Sequence, residues 1–151
     1  MFHKAIEVLF KNKSLIDVTF QDGSVRRFDV STLFDEFPQM RALRKAALFK
    51  SGKLQGGYGI IWNDELDLSV EEIYQNGKLI ENVKLPIAYC VGNAISLARS
   101  EAGLTQTELA KLSGIDQSDL SKIERGAANP SLTTLDKIAA ALGKNIDFQL
   151  L

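Results

Sequence analysis

The chain is poor in the residues that carry most site chemistry. Its 151 residues include one cysteine, Cys90, and one histidine, His3. A lone cysteine excludes an internal disulfide and, with it, the stapled architecture of small secreted domains. One Cys and one His also leave too few soft ligands for a closed zinc site. Cys90 itself reads as a small buried hydrophobe and His3 as idle. Long apolar runs are missing too. The least polar stretch, Leu85 to Ala98, carries Pro86, Asn93 and Ser96 and is shorter than the roughly 20 residues that span a bilayer. Glu7 stands where a signal peptide needs its apolar core, so a cytoplasmic protein with no membrane role is expected. No nucleophile–base pair, metal-ligand set or phosphate-cradling loop is recognisable, so neither an enzyme nor a cofactor is expected. Asp64, Glu65 and Asp67 cluster, but without a partner motif they read as a solvated loop. Net charge is nearly absent: 18 Lys and Arg face 19 Asp and Glu, a formal charge of −1, which gives no bulk attraction to nucleic acid.

What is present is a 45% apolar composition, enough for a packed core. The length allows one ordinary domain or two small ones. Periodicity decides for two. Before Pro86 it is mostly two: Leu15 to Phe20 and Val25 to Val30 alternate on either side of Asp22 and Gly23, which predicts a hairpin. Ile6 to Phe10 reads as a strand ahead of it. Phe37 to Leu48 reads as a short helix, with Pro38 near its start. A turn at Gln55 to Gly59 leads into a strand ending at Trp62. Ser69 and Glu72 are spaced as a capping box for a last small helix, closed by Asn76 and Gly77. The first half, 1–80, is thus a small α+β domain with a small sheet and short helices, and 81–90 is expected to be a linker.

After Pro86 the period becomes helical. Val91, Ala94, Ile95, Ala98 and Ala102 share a helix face that ends at Gly103. Thr105 with Glu108 is a capping box opening Gln106 to Ser113, and Gly114 breaks that helix. Asp116 can cap Gln117 to Arg125, and Ser131 can cap Leu132 to Leu142. The tail from Asn145 returns to period two, which predicts a C-terminal strand. Two short helices crossing steeply need a small residue at the crossing, a glycine in the turn, an apolar residue after it and apolar anchors on the second helix. Ala110, Gly114, Ile115, Leu120 and Ile123 supply them at the spacing of a helix-turn-helix.

With Gly103 to Ala110, Ser113 to Ser118, Leu120 to Gly126, Asn129 and Pro130, and Leu135 to Gly143 in register, residues 91–143 resemble the phage-repressor-like helix-turn-helix family of the Xre or Cro/C1 type. The resemblance implies an all-α DNA-binding domain over 91–151 and a transcriptional regulator, most simply a repressor. By the same resemblance, Gln106 holds a DNA phosphate or braces the first residue of the recognition helix. Gln117, Ser118, Ser121 and Lys122 face the major groove, where glutamine suits adenine and lysine suits guanine or phosphate. Arg125 and the loop Ala127 to Ser131, with Asn129, run along the backbone. Thr105 stands at the same edge. Arg99 and Glu124 match a structural ion pair between helices. Two features depart from the pattern: Ser96 stands where a basic residue is common, and Asp116 and Asp119 lie beside the reading face.

Residues 86–151 hold 6 basic and 7 acidic side chains, so one protomer should bind DNA weakly, and tight binding to a palindromic operator should need a homodimer. Ile146, Phe148 and Leu150 alternate along the tail and are the expected dimerisation strand, unless that strand extends the N-terminal sheet. In the first half, His3 to Val8, Val18 to Val25, Phe28 to Leu33, Ala47 to Phe49 and Gly59 to Tyr74 resemble the prokaryotic domain-of-unknown-function 2442 family. Its members occur alone, fused to helix-turn-helix domains and beside small toxin-like genes. That resemblance suits a small-molecule effector or a protein partner at this domain. The alternative function is then an antitoxin that binds its toxin there and represses its own operon; a mere support for dimerisation is the plainer role.

Overall fold

Asp22 and Gly23 form the turn that the alternation predicts. Gly23 adopts φ +84°, and the Asp22 carboxylate accepts from the backbone and side chain of Ser24 at 2.8 and 2.6 Å. A side chain at Gly23 would also meet the Val83 carbonyl oxygen at 2.6 Å, so both the dihedral and the space demand glycine. The computed structural model describes residues 2–151 and divides between Lys84 and Leu85 into two units, each considered alone below.

In the N-terminal unit, β1 (Ala5–Phe10), β2 (Leu15–Phe20), β3 (Ser24–Asp29) and β7 (Lys78–Asn82) form an antiparallel sheet in the order β1-β2-β3-β7. A second antiparallel sheet holds β4 (Lys53–Gln55), β5 (Gly59–Asn63) and β6 (Leu66–Ser69). Ile16, Val18 and Phe20 alternate into the core beside Phe28, Phe49, Ile60 and Ile73. Asp17, buried on the other face of β2, lies opposite Arg27, which holds it through two bonds of 2.7 and 2.8 Å and keeps its carboxyl below the usual range.

The predicted helix over 37–48 is instead a 3-10 helix, Pro38–Arg44, followed by the short α1 (Ala46–Lys50). Met40 and Leu43, three residues apart, are its buried pair, and a three-residue turn places such a pair on one face. A first 3-10 turn covers Val30–Leu33. Ser69 does cap α2 (Val70–Asn76), but it accepts from Glu71 rather than Glu72. No reciprocal box forms, because the Glu72 carboxylate accepts from the Asn76 amide at 2.7 Å. The expected linker 81–90 is divided. Glu81 and Asn82 complete β7, and Ile87 to Cys90 begin the next helix.

His3 is not idle. Its backbone N–H donates to Glu71 at 3.0 Å, its ring nitrogen lies 3.1 Å from both Glu71 oxygens, and its ring stacks on Tyr74 at 3.4 Å. The His3 N–H, followed by the Gln75 amide, holds the Glu71 carboxyl down at about 2 against an ordinary 4.5. A depressed carboxylate stabilises the fold above its unfolded value and loses that contribution as pH falls toward the folded one. The gap in melting temperature between the protein and Glu71→Gln should therefore narrow as pH falls from 4.5 toward 2. A constant gap would refute this contact.

The C-terminal unit is α3 (Ile87–Glu101), α4 (Gln106–Ser113), α5 (Gln117–Glu124) and α6 (Leu132–Ala141) around Leu109, Ala110, Leu120, Ile123 and Ile138. Helix α3 starts earlier than expected, at Ile87, with Pro86 as its N-cap; the Pro86 carbonyl accepts from Tyr89 and Cys90. Cys90 is exposed rather than buried, because it faces a groove of about 450 Å³ among α3, α6 and the residues after Gly143. The predicted C-terminal strand does not form: residues 144–151 have no regular structure, and neither sheet includes them. A strand needs a partner ladder, and the four helices of this unit offer none. No helix among the described residues is long and apolar enough to cross a membrane.

Candidate nucleic-acid interface

Two helix starts are fixed by their own side chains. Thr105 and Glu108 form the expected reciprocal box at α4, at 3.2 and 2.7 Å. Gly114 then turns the chain in the left-handed region, φ +71°, and Asp116 caps α5 by accepting from the N–H and hydroxyl of Ser118 at 2.8 and 2.6 Å. The Ser118 bonds hold the Asp116 carboxyl below its usual range. Its charge is thus directed to the α5 N-terminus, where the helix dipole favours it. Asp119 lies 3.9 Å from Lys122, the other charge on the same turn.

A polar relay runs from the unit's interior to this surface. Arg99 on α3 donates to both oxygens of Glu124 at 2.6 and 3.1 Å, and to the Leu104 carbonyl at 2.7 Å. The Glu124 side chain is 4% exposed and that of Arg99 17%, so the pair stands largely out of water. Gln106 donates to Glu124 at 2.9 Å through its amide nitrogen, and its amide oxygen accepts from Gln117 at 3.1 Å. Arg99 and Glu124, the pair singled out in the sequence, thus bond to each other, and Gln106 links Glu124 to Gln117, the first residue of α5. Gln106 thus stands between the ion pair and the exposed Gln117.

Around this relay Gln117, Ser118, Lys122 and Arg125 are exposed, with Ser121 half-buried among them. Arg125 folds back to donate to the Ser121 carbonyl at 3.3 Å. Thr105 and Asn129 are exposed at the neighbouring edges. The residues expected at a DNA surface therefore lie on the start of α4, the outer face of α5 and the loop after it. Two further contributors are Gly92 and the Leu104 carbonyl. Gly92 on α3 lies against the end of α5, where a Cβ would meet the Ile123 carbonyl oxygen and, at 2.8 Å, that of Glu124. Its signal was an isolated glycine inside a helical run. The Leu104 carbonyl has no sequence signal at all.

Known proteins resemble parts of this chain in sequence. Residues 95–149 match the helix-turn-helix family model. The uncharacterized HTH-type transcriptional regulator y4dJ of Sinorhizobium fredii is 47% identical over 53 residues, which cover 35% of this chain and 69% of that protein. The chain belongs to the helix-turn-helix family of transcriptional regulators. The immunity repressor protein of Bacillus phage phi105 is 47% identical over 53 residues, 35% of this chain and only 37% of that protein. Antitoxin HipB of Escherichia coli O6:H1 is 46% identical over 52 residues, 34% of this chain and 55% of that protein. Each likeness spans about a third of the helix-turn-helix protein described here. Residues 5–78 match a different model, a protein of unknown function, DUF2442.

Proposed function

We propose that the protein is a sequence-specific DNA-binding transcriptional regulator, a repressor that acts as a homodimer on a palindromic operator. The observation that carries this reading is the relay that ends at Gln117. A buried ion pair is an expensive device for a surface without a role, because two charges must be taken from water to orient one amide. In the proposed complex Gln117 pairs with an adenine edge, while Ser118, Ser121 and Lys122 reach neighbouring bases or phosphates. Thr105, Gln106, Arg125 and Asn129 hold the backbone on either side.

The experiment is selection of bound DNA from a random pool with the full chain at low salt. A two-fold symmetric site should be enriched, with half-sites about one helical turn apart. An unenriched pool would defeat the reading.

Dimerisation is assigned to the tail. Ile146, Phe148 and Leu150 are 45, 61 and 99% exposed in one chain, and pairing with the same segment of a second copy would bury them and complete a ladder. Removal of residues 145–151 should leave a monomer in analytical ultracentrifugation and cost operator affinity. A truncated protein that remained fully dimeric would exclude the tail.

The likeness to antitoxin HipB favours a second reading, an antitoxin that represses its own operon and binds its toxin through the N-terminal unit. Co-purification with the product of an adjacent reading frame would support it over a small-molecule effector.

A further inference from the structure

We propose that a groove in the N-terminal unit, between its two 3-10 turns and the β6–α2 segment, docks a basic, amphipathic segment of a partner protein. The groove measures about 400 Å³. Leu33, Met40 and Leu68 line it as buried residues, and Phe37 beside them is 41% exposed, an aromatic ring left partly in water. Glu36 borders it from the 3-10 side, Glu65 from the turn before β6, and Asp67 and Glu72 from β6 and α2. Among the described residues, no Lys, Arg or His lines it.

Three other carboxylates of the unit are ion-paired. Asp17 has Arg27 and Lys11, Asp35 has Arg41, and Glu71 has His3. Among the described residues, no ion pair engages Glu36, Glu65, Asp67 or Glu72. Overall acidity does not explain this, because residues 1–85 carry 12 basic and 12 acidic side chains. Four of the twelve acidic side chains in residues 1–85 thus border one apolar depression, where low-dielectric walls strengthen their field.

The combination selects its occupant. An exposed aromatic ring beside carboxylates suits the head group of Arg or Lys, through cation–π attraction and charge-assisted hydrogen bonds. The apolar floor suits the stems of those side chains and the aliphatic residues between them. A metal ion would make no use of the floor, and no three acidic, His or Cys residues among those described are grouped to hold one. DNA is repelled by the sign of the charge. A cavity of this size takes a few side chains of one segment, as grooves that bind short peptides do. The proposal rests on reading the N-terminal unit as a partner-binding module, and it supplies the chemistry of that contact. It does not depend on the DNA reading.

The test uses the full chain and a fluorescent helical peptide with leucine on one face and arginine on the other. Fluorescence anisotropy at low ionic strength should show saturable binding that weakens with salt. Glu36→Gln/Asp67→Asn/Glu72→Gln should weaken it by about tenfold or more, and Phe37→Ala by several fold. The same peptide with glutamate for arginine should not bind, and the version with serine for leucine should bind markedly less. Absence of binding, unchanged affinity in the triple variant, or equal affinity for the serine version would overturn the proposal, the last by reducing the effect to bulk charge attraction. Co-purification with a neighbouring gene product, retained in the triple variant, would leave the partner-binding reading intact and remove this groove from it. Glu36, Phe37 and Asp67 are exposed and Glu72 is half-buried, all in the N-terminal unit, so these substitutions should leave DNA binding unchanged.

Discussion

Gly92→Ala is expected to destabilise the helix-turn-helix unit by about 3 kcal/mol or more. Helix propensity alone argues the other way, since alanine in place of a helical glycine gains about 1 kcal/mol. The clash decides the sign. The added methyl would fall on the Ile123 carbonyl oxygen, with the Glu124 oxygen at 2.8 Å and its carbonyl carbon at 3.0 Å. These are backbone atoms at the end of α5, and the Ile123 oxygen already accepts from Gly126 at 3.0 Å, so no rotamer change can clear the space. Helix α3 would have to lift from α5, opening the core at Leu120 and Ile123. Gly103→Ala is the control. Nothing stands within 4 Å of its Cβ position, and only its φ of +71° opposes a side chain, a cost of about 1 kcal/mol. Urea unfolding followed by helical ellipticity should separate the two variants clearly. Equal stabilities would mean that α3 and α5 do not meet as described.

Glu124→Ala should be as damaging for a different reason. It leaves Arg99 with the Leu104 carbonyl as its remaining bonded partner, and an uncompensated buried charge costs about 3–5 kcal/mol. The informative variant is the double replacement Arg99→Met/Glu124→Met. Exchange of both ions for apolar side chains is often neutral for stability, so the fold should recover. DNA binding should not recover, because Gln106 would lose the Glu124 oxygen it donates to at 2.9 Å and with it the fixed orientation toward Gln117. A double variant as stable as the parent and equally strong on the selected site would show that the relay orients nothing.

The C-terminal unit was almost wholly legible in the sequence because its signals are local. Thr105 with Glu108, Gly114, Asp116 and Ser131 each specify a helix end within three or four residues, and Leu120 and Ile123 share one face by spacing alone. The Arg99–Glu124 pair and the bracing by Gln106 followed from the resemblance to a family, since no local pattern links positions 25 apart. In the N-terminal unit the hairpin was readable from its alternation and its Asp-Gly turn. Strand β7 was not, because all five of its residues are exposed and it is defined only by pairing with β3. The three-residue β4 is too short to show a period. The helix expected over 37–48 became a 3-10 helix because burial of Met40 and Leu43 prevailed over propensity. His3 owes its role to Glu71, 68 residues away, which no window along the chain can see. The tail at 145–151 has the alternation of a strand but no ladder to join, so a pattern that is real in the sequence is unfulfilled in a single chain.

The near-zero charge sharpens how the α5 face should behave. With 6 basic against 7 acidic residues after position 85, affinity cannot rest on a positive surface, and a few polar contacts must carry discrimination. The most direct measurement is therefore the base preference of Gln117→Ala beside Arg125→Ala on the selected site. The account predicts that Gln117→Ala relaxes preference at one or two positions of each half-site, a loss of about 1–3 kcal/mol of discrimination there. Arg125→Ala should weaken binding to all sequences evenly. Unchanged preference and affinity in both variants would contradict the assignment of this face to DNA.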